Sequence, residues 1–239
     1  GFIMPLPKLA VPTHTIKLHS LEKEIKYRPF LVKEEKLLLM ALESGDDETM
    51  LSSIKTIINN CVHDEEKIDV DALPLFDLEL WFLHLRAKSV GEVVDLIFKC
   101  KACEAENEHK LNIDDVNLFI SKDHENLIEL TDNIKIQMKY PNVRQFASFE
   151  NEDKPTEKLF NLVKDCIECI IDGEEVYEAK LQTKKELEEF IYSLNQQQFK
   201  KIINFFDTMP KLRHLITYKC NKCGEDNIQL LEGVENFFL

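Results

Sequence analysis

Two cysteine pairs decide the fold of this chain: Cys100-Lys101-Ala102-Cys103 and Cys220-Asn221-Lys222-Cys223. Each pair follows a short apolar run that ends in lysine, over residues 93–99 before the first pair and 214–219 before the second. A polar stretch returns from each pair. This pattern predicts two β-hairpins, each with a Cys-x-x-Cys turn at its tip.

Four cysteine thiolates at the corners of a tetrahedron form a structural zinc site, in which no ligand position stays open for a substrate. The two-residue spacer lets both sulfurs of one turn reach one ion. We therefore predict one structural Zn²⁺ bound by Cys100, Cys103, Cys220 and Cys223. The alternative is four unrelated thiols, two in each loop, because the spacer between the pairs is much longer than in most four-cysteine sites.

If one ion binds both cysteine pairs, residues 104–219 begin and end at the same place in the structure. The intervening segment would then be an insert that is joined to the rest of the chain at that place. The sequence predicts an α+β fold in which residues 1–92 form an N-terminal hairpin and helical region. Residues 93–112 and 213–239 form a split zinc ribbon from two distant hairpins. Residues 113–212 form an inserted subdomain with its own hairpin and helices.

The N-terminal region alternates polar and apolar residues over 15–18 and 24–28, which predicts a hairpin. The prolines of residues 5–12 predict an extended start. Helical spacing of apolar residues predicts three helices, over residues 31–42, 50–61 and 74–88. The third is apolar on most sides and is expected to be central. Cys61 lies on the apolar side of the second, which favours a buried thiol.

The insert shows a hairpin pattern over residues 127–130 and 134–140, and a helix is predicted from Pro155 to Gly173. Two capping boxes predict further helices, one beginning at Thr183 with Glu186 and one at Asn195 with Gln198. Cys166-Ile167-Glu168-Cys169 is a further Cys-x-x-Cys. Its place at the end of a predicted helix favours core packing over a redox role, because a reactive cysteine is typical of a helix N-terminus.

Composition narrows the possible functions. The net charge is −14 at pH 7, so the chain lacks the basic footprint that nucleic-acid binding requires. No apolar run reaches the roughly 18 residues of a membrane span. Seven cysteines and no signal-peptide pattern predict a reducing cytoplasm. Met4 is either the native start or an internal methionine.

No catalytic motif is found. The phosphate-binding loop, the dinucleotide fingerprint, the nucleophile elbow and the His-Glu-x-x-His motif are all missing, and the seven histidines are scattered. The sequence therefore predicts no enzyme.

Two long stretches, residues 26–36 and 76–92, resemble the N-terminal signature of the T4-like bacteriophage baseplate hub family. The opening Leu6-Pro7-Lys8-Leu9 agrees with it. The resemblance implies a late phage protein that builds the central hub of a contractile-tail baseplate, either as a hub subunit or as an assembly factor absent from the virion. It implies other hub proteins as partners and the host cell cytoplasm, or the virion tail, as location.

Two surfaces are candidates for binding by this resemblance, the helix over residues 31–42 and the segment Arg86-Ala87-Lys88-Ser89. Both could instead maintain the fold. The alternative function is a zinc-ribbon adaptor of a transcription or other nucleic-acid complex, which would dock on a protein and not on nucleic acid.

Overall fold

The computed structural model describes residues 9–21, 23–63, 65–66, 68–145 and 154–237. Residues 5–8 of the predicted extended start, the motif Leu6-Pro7-Lys8 and Met4 lie outside these ranges. The described part contains both helices and small hairpin sheets, so the α+β fold is confirmed.

The N-terminal region follows the sequence prediction closely. Its antiparallel hairpin consists of β1 (His14–Lys17) and β2 (Glu24–Tyr27). Three helices follow, α1 (Val32–Ser44), α2 (Asp47–Cys61) and α3 (Leu75–Val90). Helix α1 ends at Gly45, whose φ of 63° is the left-handed conformation that glycine adopts without strain.

Helix α3 is central, as its sequence predicts. Trp81, Phe82 and Leu83 on successive positions are fully buried, so the helix is covered on more than one side. Full burial of such a side chain contributes about 1.5–3 kcal/mol. The buried Asp77 of its first turn accepts hydrogen bonds from the backbone N–H groups of His19 and Ser20, which ties the β1–β2 connection to this helix.

The two cysteine-bearing hairpins form as predicted. The first consists of β3 (Val93–Lys99) and β4 (Glu106–Asn112), paired from Val93 opposite Asn112 to Lys99 opposite Glu106. The second consists of β10 (Lys211–Lys219) and β11 (Asp226–Glu232). The short strand β5 (Leu118–Phe119) adds to the other edge of β10.

The insert contains a four-stranded antiparallel sheet in the order β6-β7-β8-β9. Its strands are β6 (Leu127–Glu129), β7 (Ile134–Met138), β8 (Ile167–Asp172) and β9 (Glu175–Glu178). Its helices are α4 (Pro155–Cys166), α5 (Lys184–Tyr192) and α6 (Gln196–Thr208). Both predicted capping boxes are present, at Thr183 with Glu186 and at Asn195 with Gln198.

The predicted helix from Pro155 to Gly173 is wrong in its second half. Helix α4 ends at Cys166, and the next six residues form β8 in the interior of the sheet. Ile170 lies opposite Ile136 on β7. The apolar residues of this segment suit either spacing, and β-branched isoleucine favours a strand when neighbouring strands are available to pair with it.

The described residues form two hydrophobic cores. The first joins the N-terminal region to both cysteine-bearing hairpins, through Val94 and Leu111 of one and Ile216 and Leu231 of the other. The second lies in the insert, between its sheet and α4, α5 and α6. The division into residues 1–92, 93–112 with 213–239, and 113–212 stays a prediction.

Candidate metal centre

The four cysteines of the two turns lie together. All four Sγ atoms are within 4.8 Å of one another. The shortest approaches join one hairpin to the other, with 3.7 Å between the sulfurs of Cys100 and Cys223 and 3.7 Å between those of Cys103 and Cys220. Residues far apart in the sequence thus form one four-sulfur cluster.

Each Cys-x-x-Cys turn is closed by the same two backbone hydrogen bonds. In the first hairpin, the N–H of Cys100 donates to the carbonyl of Ala105, and the N–H of Glu104 donates back to the carbonyl of Cys100, both at 2.9 Å. The second hairpin repeats both bonds at 2.9 Å, between Cys220 and Glu225 and between Gly224 and Cys220. The two turns therefore present their sulfurs in the same way.

The two hairpins form an internal repeat, which the sequence analysis did not identify. The strands, the turns and their pairing correspond at one constant offset along the chain. Five residues of the first hairpin recur at the equivalent positions of the second: Lys99, Cys100, Cys103, Asn107 and Leu111 as Lys219, Cys220, Cys223, Asn227 and Leu231.

The repeat reveals two polar residues that the sequence interpretation missed. Asn107 and Asn227 are buried, with 3% and 4% of their surface exposed. The side chain of each reaches the opposite turn: Asn107 accepts from the N–H of Asn221 at 2.8 Å, and Asn227 accepts from the N–H of Lys101 at 3.0 Å. Aligning the two cysteine pairs would have shown this shared asparagine.

Further contacts join the hairpins beside the sulfurs. The rings of Phe98 and Tyr218, at equivalent positions of β3 and β10, stack with centroids 5.9 Å apart. The Tyr218 hydroxyl donates to the carbonyl of Lys99 at 3.3 Å. Lys101 forms an exposed ion pair with Glu225 at 3.2 Å, which contributes little to stability because water screens it.

The turns favour ionised sulfur. The backbone N–H groups of Cys223 and Lys222 lower the pKa of the Cys220 thiol to about 6. The N–H of Ala102 lowers the pKa of Cys100. At Cys223 the N–H of Glu225 also lowers the pKa, but hydrogen bonds with neighbouring thiols, led by Cys103, outweigh it and raise the pKa to about 12. A metal cation bound at the cluster would favour the deprotonated form of the Cys223 thiol.

The other cysteines lie elsewhere. Burial raises the pKa of Cys61 and of Cys166 to about 12 in each case, and both side chains are fully buried. Core packing is thus confirmed for these two thiols. Cys169 lies on β8 and is partly exposed, so the predicted position at a helix end is wrong. Among the described residues, the four-cysteine cluster is the one group of three or more histidine, cysteine, aspartate or glutamate side chains that could hold a metal ion.

A family model described as T4 bacteriophage base plate protein matches residues 11–239. This chain belongs to that family. The match includes both cysteine pairs, so the four-cysteine cluster lies within the matched part of the chain. No curated protein and no solved structure matches the chain.

Membership of the baseplate family supports a structural role in the phage tail, with other baseplate proteins as binding partners. It also suggests a role without catalysis. In the described part of the chain, no helix combines the length and the apolar character needed to cross a membrane.

Proposed function

We propose that this baseplate protein builds the hub of the baseplate, as a hub subunit or as an assembly factor, by binding another hub protein in the cytoplasm of the infected bacterium. We further propose that Cys100, Cys103, Cys220 and Cys223 hold one structural Zn²⁺. The family match over residues 11–239 supports the first part, and the four-sulfur cluster supports the second.

The spacing of the sulfurs supports zinc. With Zn–S bonds of about 2.3 Å, the sulfurs of a regular tetrahedron lie about 3.8 Å apart. Two of the sulfur pairs here are 3.7 Å apart, and all lie within 4.8 Å. Four thiolates are the ligand set of closed structural zinc sites, so the ion would hold the two hairpins together and activate no substrate.

Metal analysis of protein purified without chelator tests the zinc proposal. We expect about one equivalent of zinc per chain, as for one four-thiolate site. Protein that carries no metal, or that contains a disulfide between Cys100 and Cys103 when kept reduced, would overturn the proposal.

Helix α1 offers a surface for a hub partner. Val32, Leu39 and Met40 are 79%, 53% and 56% exposed, while Leu37 and Leu38 pack against the first core. An apolar centre with charged residues around it is typical of binding surfaces. Lys33, Lys36 and Glu35 are exposed beside this surface.

Glu34 lies between these charged residues in the sequence but is not part of the exposed rim. Its side chain is buried, and its carboxylate accepts hydrogen bonds from the guanidinium of Arg28 at 3.2 and 3.3 Å and from the N–H of Leu31 at 2.8 Å. In the segment at residues 86–89, Ser89 accepts from the N–H of Phe30 and Lys88 pairs with Glu92, which supports a role in maintaining the fold.

Co-expression with the other hub proteins, followed by size-exclusion chromatography, tests the binding proposal. We expect this chain to elute with one of them, and the variant Leu39→Lys with Met40→Glu to elute alone. Leu181→Lys is a matched control, since Leu181 is 74% exposed on the insert and lies outside α1. A chain that binds no hub protein, yet binds a polymerase, would favour the adaptor function instead.

A further inference from the structure

We propose that Asn107 and Asn227 are reciprocal positioning residues of the metal centre, each of which holds the opposite hairpin's turn in its metal-binding shape. Each also donates a hydrogen bond to a cysteine sulfur of that opposite hairpin. This inference rests on the proposed metal centre and adds two residues to it that are not ligands.

Both asparagines make the same three kinds of contact. The Oδ1 of Asn107 accepts from the N–H of Asn221, its Nδ2 donates to the carbonyl of Ala105 at 2.8 Å, and its Nδ2 lies 3.7 Å from the Sγ of Cys220. An amide side chain therefore connects its own turn, the backbone of the other turn and a sulfur of the other turn.

Asn227 repeats these contacts in the opposite direction. Its Oδ1 accepts from the N–H of Lys101, its Nδ2 donates to the carbonyl of Glu225 at 2.9 Å, and its Nδ2 lies 3.5 Å from the Sγ of Cys100. Neither hairpin can form this arrangement alone, because each asparagine accepts a hydrogen bond from a backbone N–H of the other hairpin.

The two asparagines donate to the sulfurs of the two most buried cysteines of the cluster. Cys100 and Cys220 are 2% and 3% exposed, whereas Cys103 is partly exposed and Cys223 is exposed. A buried anion is stable only when internal donors replace water. The side-chain N–H groups of Asn107 and Asn227 supply such donors, in addition to the backbone N–H groups of Lys222 and Ala102 at 3.4 Å.

Polar groups that orient metal ligands commonly contribute 10–100-fold to metal affinity. We therefore expect Asn107→Ala and Asn227→Ala each to weaken zinc binding about 10–100-fold, measured by competition with a chelating indicator. Asn221→Ala is the matched control. Asn221 lies inside the second turn, and it contributes to this network through its backbone N–H. Alanine keeps that N–H, so the zinc affinity of the variant should stay close to that of the wild type.

Two site-specific readouts separate positioning from a general loss of structure. In the zinc-loaded protein, Asn107→Ala should increase the rate at which iodoacetamide alkylates Cys220 and leave Cys100 unchanged, as measured by mass spectrometry. Asn227→Ala should do the reverse. Amide hydrogen exchange should accelerate at Asn221 in the first variant and at Lys101 in the second. A purely structural defect would affect both cysteines equally.

Asn107→Asp keeps the acceptor for the N–H of Asn221 while it removes the donor to sulfur, so it tests the proposal if the alanine variant does not fold. We expect weaker zinc binding and faster alkylation of Cys220. Wild-type zinc affinity and unchanged alkylation in the asparagine variants would overturn this inference alone. Wild-type protein without metal would overturn the proposed zinc site instead.

Discussion

The two cysteine-bearing hairpins are alike where they face each other and the core. Their turns have the same hydrogen bonds, and Leu111 and Leu231 are buried at equivalent positions, 4% and 2% exposed. Their outer faces differ. In the first hairpin Asp95 lies opposite Lys110, and in the second the equivalent residues are Leu215 and Leu230.

This difference separates the positions that contact the four-cysteine cluster or the core from the positions that face outward. The turn, the buried asparagine and the inward leucine recur, because each contacts the cluster or the core. The outward positions do not contact either, so their chemistry can vary. The first hairpin fills them with an exposed ion pair at 3.8 Å, and the second with leucines that are 57% and 43% exposed.

Loss of one sulfur should have the largest effect. Cys100→Ser and Cys220→Ser remove equivalent sulfurs of the proposed zinc site. Both should therefore lower the melting temperature strongly and by similar amounts, since binding energy at structural zinc sites is on the order of 10 kcal/mol. Limited proteolysis should then cleave first within residues 104–219. The measurements are calorimetry and mass spectrometry of the fragments.

Cys169→Ser is the control for this experiment, because Cys169 is partly exposed on β8 and outside the cluster. Unchanged melting after complete removal of metal would contradict a structural role of the ion. A large difference between the two serine variants would show that the hairpins are not equivalent.

Truncation of the inward leucines should have the next largest effect. Leu111→Ala and Leu231→Ala each leave a cavity in the first core, so each should lower the free energy of unfolding by about 2–5 kcal/mol, measured by urea denaturation. Leu230→Ala, on the exposed outer face of the same strand, should cost less than about 1 kcal/mol. Equal losses for all three would refute the distinction between inner and outer faces.

Local signals let the sequence predict much of the fold. The capping boxes at Thr183 and Asn195 marked two helix starts. The Cys-x-x-Cys pairs marked both hairpin turns. Each of these features depends on neighbours within a few positions, which is why a single sequence reveals it.

The failures involve contacts between distant residues. Residues 167–172 form a strand because β7 lies beside them to pair with, and nothing within the segment shows that neighbour. The sequence shows that the asparagine recurs, but the backbone groups that Asn107 and Asn227 bind belong to the opposite hairpin. Glu34 is the exception, because its partner Arg28 is only 6 positions away. No local pattern shows that this carboxylate is buried.

A smaller effect should follow from the left-handed position of each turn, where the backbone conformation is shared but the residue type differs. Glu104 has φ 56° and Gly224, at the equivalent position, has φ 75°. The left-handed conformation is costly for a residue with a Cβ atom. Gly224→Ala should therefore lower the free energy of unfolding by about 1 kcal/mol, and Glu104→Gly should raise it by less than about 1 kcal/mol.

Space does not limit these substitutions, since a Cβ atom added at Gly224 meets nothing within 4 Å. Glu104→Ala is the control, because it removes the charge and keeps the strained φ. If Glu104→Ala stabilised the protein as much as Glu104→Gly, as measured by chemical denaturation, the charge and not the backbone would be the cause.

Exchange of the outer faces should have the smallest effect on stability. Leu215→Asp with Leu230→Lys gives the second hairpin the ion pair of the first, and exposed substitutions usually change stability by less than about 0.5 kcal/mol. Thermal unfolding measures the change. Asp95→Leu with Lys110→Leu is the reverse exchange, and a large loss in either variant would show that the outer faces are not interchangeable.

The order of the cysteines along the chain has a consequence for synthesis. A ribosome adds roughly 5–20 residues per second, so Cys100 and Cys103 wait on the order of ten seconds before Cys220 and Cys223 exist. During that delay the first hairpin carries two reduced thiols without their partners. The insert, whose described core residues lie within 128–206, emerges from the ribosome before the second hairpin can complete the cluster.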